Sequence, residues 1–140
     1  MPTGSIRRPC LRCSITVTDV VLRIDAVPSS ANRRLRMHWQ QRRKEDEVLR
    51  WLLKGACGVA KFPRHRGRPA YVEVEFLMTG RADDLDNRVA RMKPLLDALV
   101  QEGVLKDDSP QWCRIALPTY KHVQSAPRTC IVVRYVPSFE

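Results

Sequence analysis

Residues 80–112 read GRADDLDNRVARMKPLLDALVQEGVLKDDSPQW, and the fold turns on how this stretch is read. Leu85, Val89, Met92, Leu96 and Leu99 recur at the three- and four-residue steps of one apolar helical stripe. Asp83 or Asp84 can cap its start by accepting a bond from a first-turn N–H, and Gly103 can end it. Pro94 lies inside the pattern. It has no N–H and its ring crowds the preceding turn, so it is expected to kink the helix or start a second one. The acids are unevenly placed. Asp83, Asp84 and Asp86 stand before or at the helix start and Asp107 and Asp108 beyond its end, in a chain of net charge +10. Carboxylates gathered at two points of a basic protein suggest a divalent cation.

Upstream, Tyr71 to Met78 (YVEVEFLM) alternates Val72, Val74 and Phe76 with Glu73 and Glu75, the period of a strand packed on one face. Those two glutamates suit a solvated sheet face, or one of them supports a metal ligand. Ser14 to Ile24 (SITVTDVVLRI) is rich in β-branched residues and reads as an earlier strand. Pro28-Ser29-Ser30-Ala31-Asn32 then breaks the pattern with turn chemistry. A helix is expected from about Met37 to Lys54, with Val48, Trp51 and Leu52 buried and a stop at Gly55 or Gly58. Downstream, Gln111 to Leu117 and Thr129 to Val136 read as two more strands, joined by a loop over 118–128. The order β-α-β-α-β-β implies an α/β (α+β) fold. Its form is a two-layer sandwich, a mixed sheet with both helices on one face. Residues 1–13 read as a tail, and 14–140 as a single domain.

Between Asn32 and Arg68 twelve Lys and Arg face three acids, Glu45, Asp46 and Glu47, a local balance of 12 − 3 = +9. Such a run is either a solvated basic face or a surface for a polyanion, nucleic acid first. Asn32, Arg33, Arg34, Arg36, Arg42 and Arg43 are the candidate DNA contacts, and residues 61–69 (KFPRHRGRP) a basic arm. Five cysteines without an export signal argue against a disulfide framework. Cys10 and Cys13 form a lone CxxC with no second pair for zinc, while Cys57, Cys113 and Cys130 read as small buried hydrophobes. No 18-residue apolar window and no signal peptide occur, so no membrane span and a cytoplasmic location are expected.

Asp84 and Asp86, two apart on an extended entry to the helix, can share a hard cation through oxygen ligands, which suits Mg²⁺ or Mn²⁺. The plainer reading is an acidic N-cap favoured by the helix dipole, and Asp107-Asp108-Ser109-Pro110 is also an ordinary turn. Asp108 joins the first two only if the chain doubles back after the helix. Acids holding Mg²⁺ beside a basic surface describe a phosphodiesterase in which a nearby lysine neutralises charge developing on the phosphate.

Asp84-Leu85-Asp86-Asn87, then Lys93-Pro94-Leu95-Leu96-Asp97-Ala98-Leu99, Gly103 and Asp107-Asp108 resemble the RusA family of Holliday junction resolvases. Val27-Pro28-Ser29-Ser30-Ala31-Asn32-Arg33 is similar to that family's early PPS-x-N segment, and the likeness covers about residues 20–136. The resemblance implies a homodimeric, Mg²⁺-dependent, bacterial or phage-encoded endonuclease that places paired nicks across four-way junctions in branched double-stranded DNA. It implies Asp84, Asp86 and Asp108 as metal-binding catalytic acids and Lys93 as the active-site lysine. Asp83, Asn87 and Asp107 become supporting candidates. One departure stands out. The family's lysine follows the second Asp of DLDN by four residues, whereas here Ala90 holds that place and Lys93 lies seven on, about 10.5 Å along an ideal helix. Either the extra turn is bulged or kinked at Pro94, or Arg91 supplies the cation, or activity is impaired. The competing functions are therefore a junction-resolving enzyme, a DNA-binding protein that has lost catalysis, and a metal nuclease for flaps, forks or RNA.

Overall fold

In the computed structural model, residues 19–60, 68–81 and 84–139 are described. The central strand is β2 (Ala70–Met78), and its alternation is realised as read: Val72, Val74 and Phe76 are buried, while Glu73 and Glu75 on the opposite face are half-buried. On one side β2 pairs antiparallel with β5 (Arg128–Tyr135), in register from Ala70↔Tyr135 to Leu77↔Arg128. β5 pairs antiparallel in turn with β1 (Val20–Ile24). On its other side β2 pairs in parallel with β3 (Cys113–Ile115) and, further along, with β4 (Thr119–His122). β3 and β4 thus occupy one lane in series, interrupted at Pro118, which has no N–H for the ladder. β1 and β2, both antiparallel to β5, run parallel to each other, so the sheet is mixed.

The loop expected over 118–128 is therefore in part a strand. Thr119-Tyr120-Lys121-His122 has no apolar alternation to announce it, and it forms because the edge of β2 offers unpaired groups. A second correction falls on the turn after β1, where a short helix, α1 (Ala31–Arg36), forms. Ser30 caps it by accepting from Arg33 N at 3.3 Å, yet α1 buries no residue. Ion pairs hold it instead: Arg34 reaches Glu45 Oε1 at 3.1 Å and Asp46 Oδ1 at 3.0 Å.

α2 (Trp39–Ala60) begins two residues later than expected and runs through both Gly55 and Gly58. Its buried stripe is also rotated from the expected one. Leu49 and Leu53 are buried, with Leu52, Ala56 and Cys57 packed beside them, whereas Val48 and Trp51 are 54% and 73% exposed. Both choices have helical spacing. The side is decided by Glu45, held by Ser29 and Arg34, which places the next turns of its face, Leu49 and Leu53, over the sheet.

α3 (Leu85–Gln101) is one helix, unbroken through Pro94. The lost hydrogen bond and ring clash cost roughly 3 kcal/mol. Burial of Met92, Leu95, Leu96 and Leu99, each contributing about 1.5–3 kcal/mol, exceeds that. Leu85 and Val89, the first two residues of the expected stripe, stay exposed, and the stripe is buried only from Met92 onward. The helix closes as the sequence implies. Gly103 adopts φ 78°, Val104 N donates to Leu99 O at 2.9 Å and Gly103 N to Val100 O at 3.1 Å. This is a Schellman motif, with buried Val104 and Leu99 as its apolar contact.

Leu49 and Leu53 of α2, Met92, Leu95, Leu96, Ala98 and Leu99 of α3, and Val20, Leu22, Ile24, Ile131 and Val133 of the sheet form one core with Val72, Val74 and Phe76. The architecture is the expected two-layer sandwich with both helices over one face. Cys113 is buried as expected, and Cys57 and Cys130 are half-buried. Among the described residues no helix is long and apolar enough to cross a membrane. The tail with Cys10 and Cys13, residues 14–18 of the first expected strand, most of the basic arm (61–67) and Asp83 lie outside the described residues.

Candidate active site

The helix that carries the DLDN motif begins where β2 ends. Asp84 is the N-cap of α3, with φ −67° and ψ 166°, and its Oδ1 accepts from Asn87 N at 3.0 Å. Its carbonyl accepts from Arg88 N at 3.1 Å. The capping role read from the sequence is thus realised. A cap bond uses one lone pair of one carboxylate oxygen, so it is compatible with cation binding by the rest of the group. Asp86 stands in the first turn, exposed like Asp84, where the helix N-terminus favours both negative charges.

Lys93 projects from the same exposed face as Asp86. Seven residues correspond to 700° on an ideal helix, 20° short of two full turns, so the azimuth is kept while the rise is about 10.5 Å. The Lys93 ammonium lies 3.1 Å from Asp97 Oδ1 and 3.2 Å from Asp108 Oδ2. Hydrogen bonds to Asp97 and then Asp108 raise its pKa, so it is protonated throughout the physiological range. Asp108 is delivered by the chain reversal after Gly103. Its N–H donates to Asp107 Oδ1 at 2.9 Å, and the Ser109 carbonyl that follows accepts from Trp112 and Cys113 N–H groups on the way into β3. Lys106 lies over the Trp112 ring at 3.9 Å and braces the same turn.

The structure therefore brings Asp84 together with Asp86 at the helix start, and Lys93 together with Asp108 two turns on. Among the described residues no group of three His, Cys, Asp or Glu side chains is close enough to hold a metal ion. By donor chemistry, exposed Asp84 and Asp86 fit a hard oxygen-seeking cation, whereas Asp108 is engaged by an ammonium. Arg91, the alternative cation, is turned away: it is buried, and its guanidinium donates to the Pro28 carbonyl, tying α3 to the loop after β1. Lys93 is the cation of this face. Asp97 escaped notice as its partner, although the four-residue spacing from Lys93 to Asp97 signals a helical ion pair.

The basic residues divide into two groups. Arg34 is bound internally to Glu45 and Asp46, and Arg43 pairs with Glu47 at 3.8 Å. Asn32, Arg33 and Arg36 are exposed on α1, while Arg42 is half-buried at the wall of a groove between α2 and α3.

The fold and site define a two-layer α/β domain with a paired-carboxylate helix start and a basic flank. A scan against protein-family models finds no match to this chain, and a search of curated proteins finds none.

Proposed function

We propose that the protein is a metal-dependent endonuclease for branched DNA of the kind that resolves four-way junctions, acting as a homodimer in the cytoplasm. The observation that carries the reading is the exposed start of α3: Asp84 caps it, Asp86 stands in its first turn, and Lys93, on the azimuth of Asp86, is in contact with Asp108. A Mg²⁺ or Mn²⁺ ion held by Asp84 and Asp86 would polarise the scissile phosphate and lower the pKa of an attacking water, and Asp108, which lies at Lys93 two turns away, would join it only by a movement of the turn after Gly103 on DNA binding. Asp84 keeps its cap bond, which fixes its carboxylate relative to Asp86. Lys93, protonated and anchored by Asp97, neutralises charge developing on the phosphate oxygens once Asp108 turns from it. Asn32, Arg33, Arg36 and Arg42 hold the backbone of the DNA arms through phosphate contacts that carry register rather than sequence.

The test is incubation of a synthetic four-way junction with the protein and Mg²⁺. Paired nicks that vanish in Asp84→Asn and Asp108→Asn, with junction binding retained, support the proposal, and unchanged cleavage in both variants sinks it.

A second reading, a DNA-binding protein with impaired catalysis, is favoured by one observation: Lys93 and Asp108 stand two helical turns from Asp86. It predicts tight junction binding without nicking under any divalent ion. Ala90→Lys places an ammonium one turn after Asp86, and cleavage gained in that variant alone would establish the impaired reading.

A further inference from the structure

Val48 and Trp51 of α2, which the sequence pattern offered for burial, are left outside by the fold. Val48 is 54% exposed, Trp51 73% and nearby Val59 84%. Single apolar side chains on a surface are ordinary, but these belong to one helix face. Val48, Trp51, Gly55 and Gly58 recur at steps of three, four and three. On an ideal helix they fall within about 80° of arc, roughly 160° from buried Leu49 and Leu53. A stripe this narrow has the repeat of a seam between two helices. The glycines point the same way. Glycine inside a helix weakens it relative to alanine. Among the described residues, a Cβ added at Gly55 or Gly58 would meet nothing within 4 Å beyond neighbouring residues of the helix. Nothing within the protomer requires these positions bare, whereas a second helix lying close across the stripe does. The flank of the stripe carries both signs of charge in order. Glu47 comes first and Lys54 seven residues on, at nearly the same azimuth. Glu47 pairs with Arg43 at 3.8 Å in solvent, and Lys54 lies over the Trp51 ring at 5.7 Å, with no carboxylate partner among the described residues. Acid first and base second along a helix complements the same helix reversed, which is the condition for a two-fold contact.

We infer that α2 is the contact between two copies of this chain, packed antiparallel across the Val48–Trp51 stripe. With Val48 of one copy against Trp51 of the other, the same register lays Lys44 over Gly55 and Gln41 over Gly58. It also brings Glu47 to Lys54 twice, once in each direction. The overlap from Gln41 to Gly58 spans about 27 Å of helix. Contact of that length gives an interface near the lower bound of about 1,000 Å² for a specific one, which corresponds to dissociation in the micromolar range. Below that concentration the exposed Trp51 adds little to the protomer's own stability. A nucleic-acid strand fits this face less well, since its phosphates would meet an apolar centre and the Glu47 carboxylate. The inference rests on the homodimer of the reading above, to which it gives a surface, and not on DNA binding or cleavage.

The experiment is sedimentation velocity of the full chain in EDTA without DNA, from about 1 to 100 μM, where a monomer–dimer equilibrium is expected. Trp51→Ser should raise the dissociation constant at least about tenfold. Lys54→Glu and Glu47→Lys each set like charges against one another at both contacts, and each should raise it about tenfold. The double variant, with the two charges exchanged, should return to within about threefold of wild type. A general loss of stability cannot produce that rescue. Gly55→Arg has open space in its own protomer but faces Lys44 of the second copy, so it should block the dimer while leaving the circular dichroism spectrum unchanged. A wild type that stays monomeric throughout, a dimer that persists in Trp51→Ser, or charge reversals without rescue would each overturn the inference. So would a monomer whose affinity for duplex DNA falls in Trp51→Ser, which would assign the face to nucleic acid. Junction cleavage by a protein whose dimer survives Trp51→Ser removes this surface alone and leaves the endonuclease reading standing.

Discussion

Glu45 anchors the basic flank, and its removal should loosen the whole α1–α2 corner. Its Oε1 accepts from Ser29 N at 2.8 Å and from Arg34 Nη1 at 3.1 Å, and its Oε2 accepts from Ser29 Oγ at 2.8 Å. Both side chains of the ion pair are about one-fifth exposed, so water replaces part of what is lost. Taking about 1.5 kcal/mol for each serine bond to the carboxylate and about 0.5 kcal/mol for the pair, Glu45→Ala should cost roughly 3.5 kcal/mol. Glu45→Gln, which keeps the shape and one acceptor oxygen, should cost about half as much. At about 4 °C per kcal/mol for a domain of this size, the alanine variant should melt about 14 °C lower. Urea denaturation followed by tryptophan fluorescence gives the difference directly, with the slope against urea checked for constancy. A loss below about 1 kcal/mol, or equal losses for alanine and glutamine, would refute the argument that this carboxylate orients α2.

Three other outcomes test the description. Arg34→Ala should leave the salt dependence of DNA binding unchanged, because its guanidinium is engaged by Glu45 and Asp46, whereas Arg33→Ala should lower the slope by about 0.9 on duplex DNA. Leu53→Ala should destabilise by about 2–5 kcal/mol and Trp51→Ala by no more than about 0.5 kcal/mol in the same denaturation assay, reversing the order expected from residue size. Burial, and secondarily Asp108, push the Cys113 thiol up to about 11. A raised folded-state value means stability that is present below the unfolded thiol pKa and lost as pH rises. The stability gap between wild type and Cys113→Ala should therefore narrow between about pH 9 and 11.

Much of the fold was legible because it depends on local patterns. The alternation of Val72, Val74 and Phe76 marked the central strand, and Met92, Leu96 and Leu99 marked the helix that covers it. Gly103 marked the reversal that the Schellman motif completes, since only its left-handed φ lets Val104 turn back onto Leu99. The errors share a different origin. The strand Thr119–His122 has no apolar signature and is held by the edge of β2, which a local reading cannot see. The rotation of α2 was ambiguous because Val48-Trp51-Leu52 and Leu49-Leu52-Leu53 both fit a helical period, and distant contacts from Ser29 and Arg34 chose between them. Pro94 stayed inside a helix because core burial outweighed a local penalty.

By itself the sequence determined the central strand, the two long helices, the layer arrangement, the cap at Asp84 and the basic flank, because propensity, periodicity and charge act within a few residues. It also placed Asp86 and Lys93 on one face, since helix geometry fixes azimuth from spacing alone. Only the tertiary structure decided which partners those groups meet. It buried Arg91 against Pro28, carried Asp108 back to Lys93 rather than leaving it at the helix end, and opened beside Pro94 a groove bounded by three helices. Those outcomes depend on how far the chain travels before it turns and on which surfaces the sheet compels into contact, and neither is encoded in any single stretch of residues.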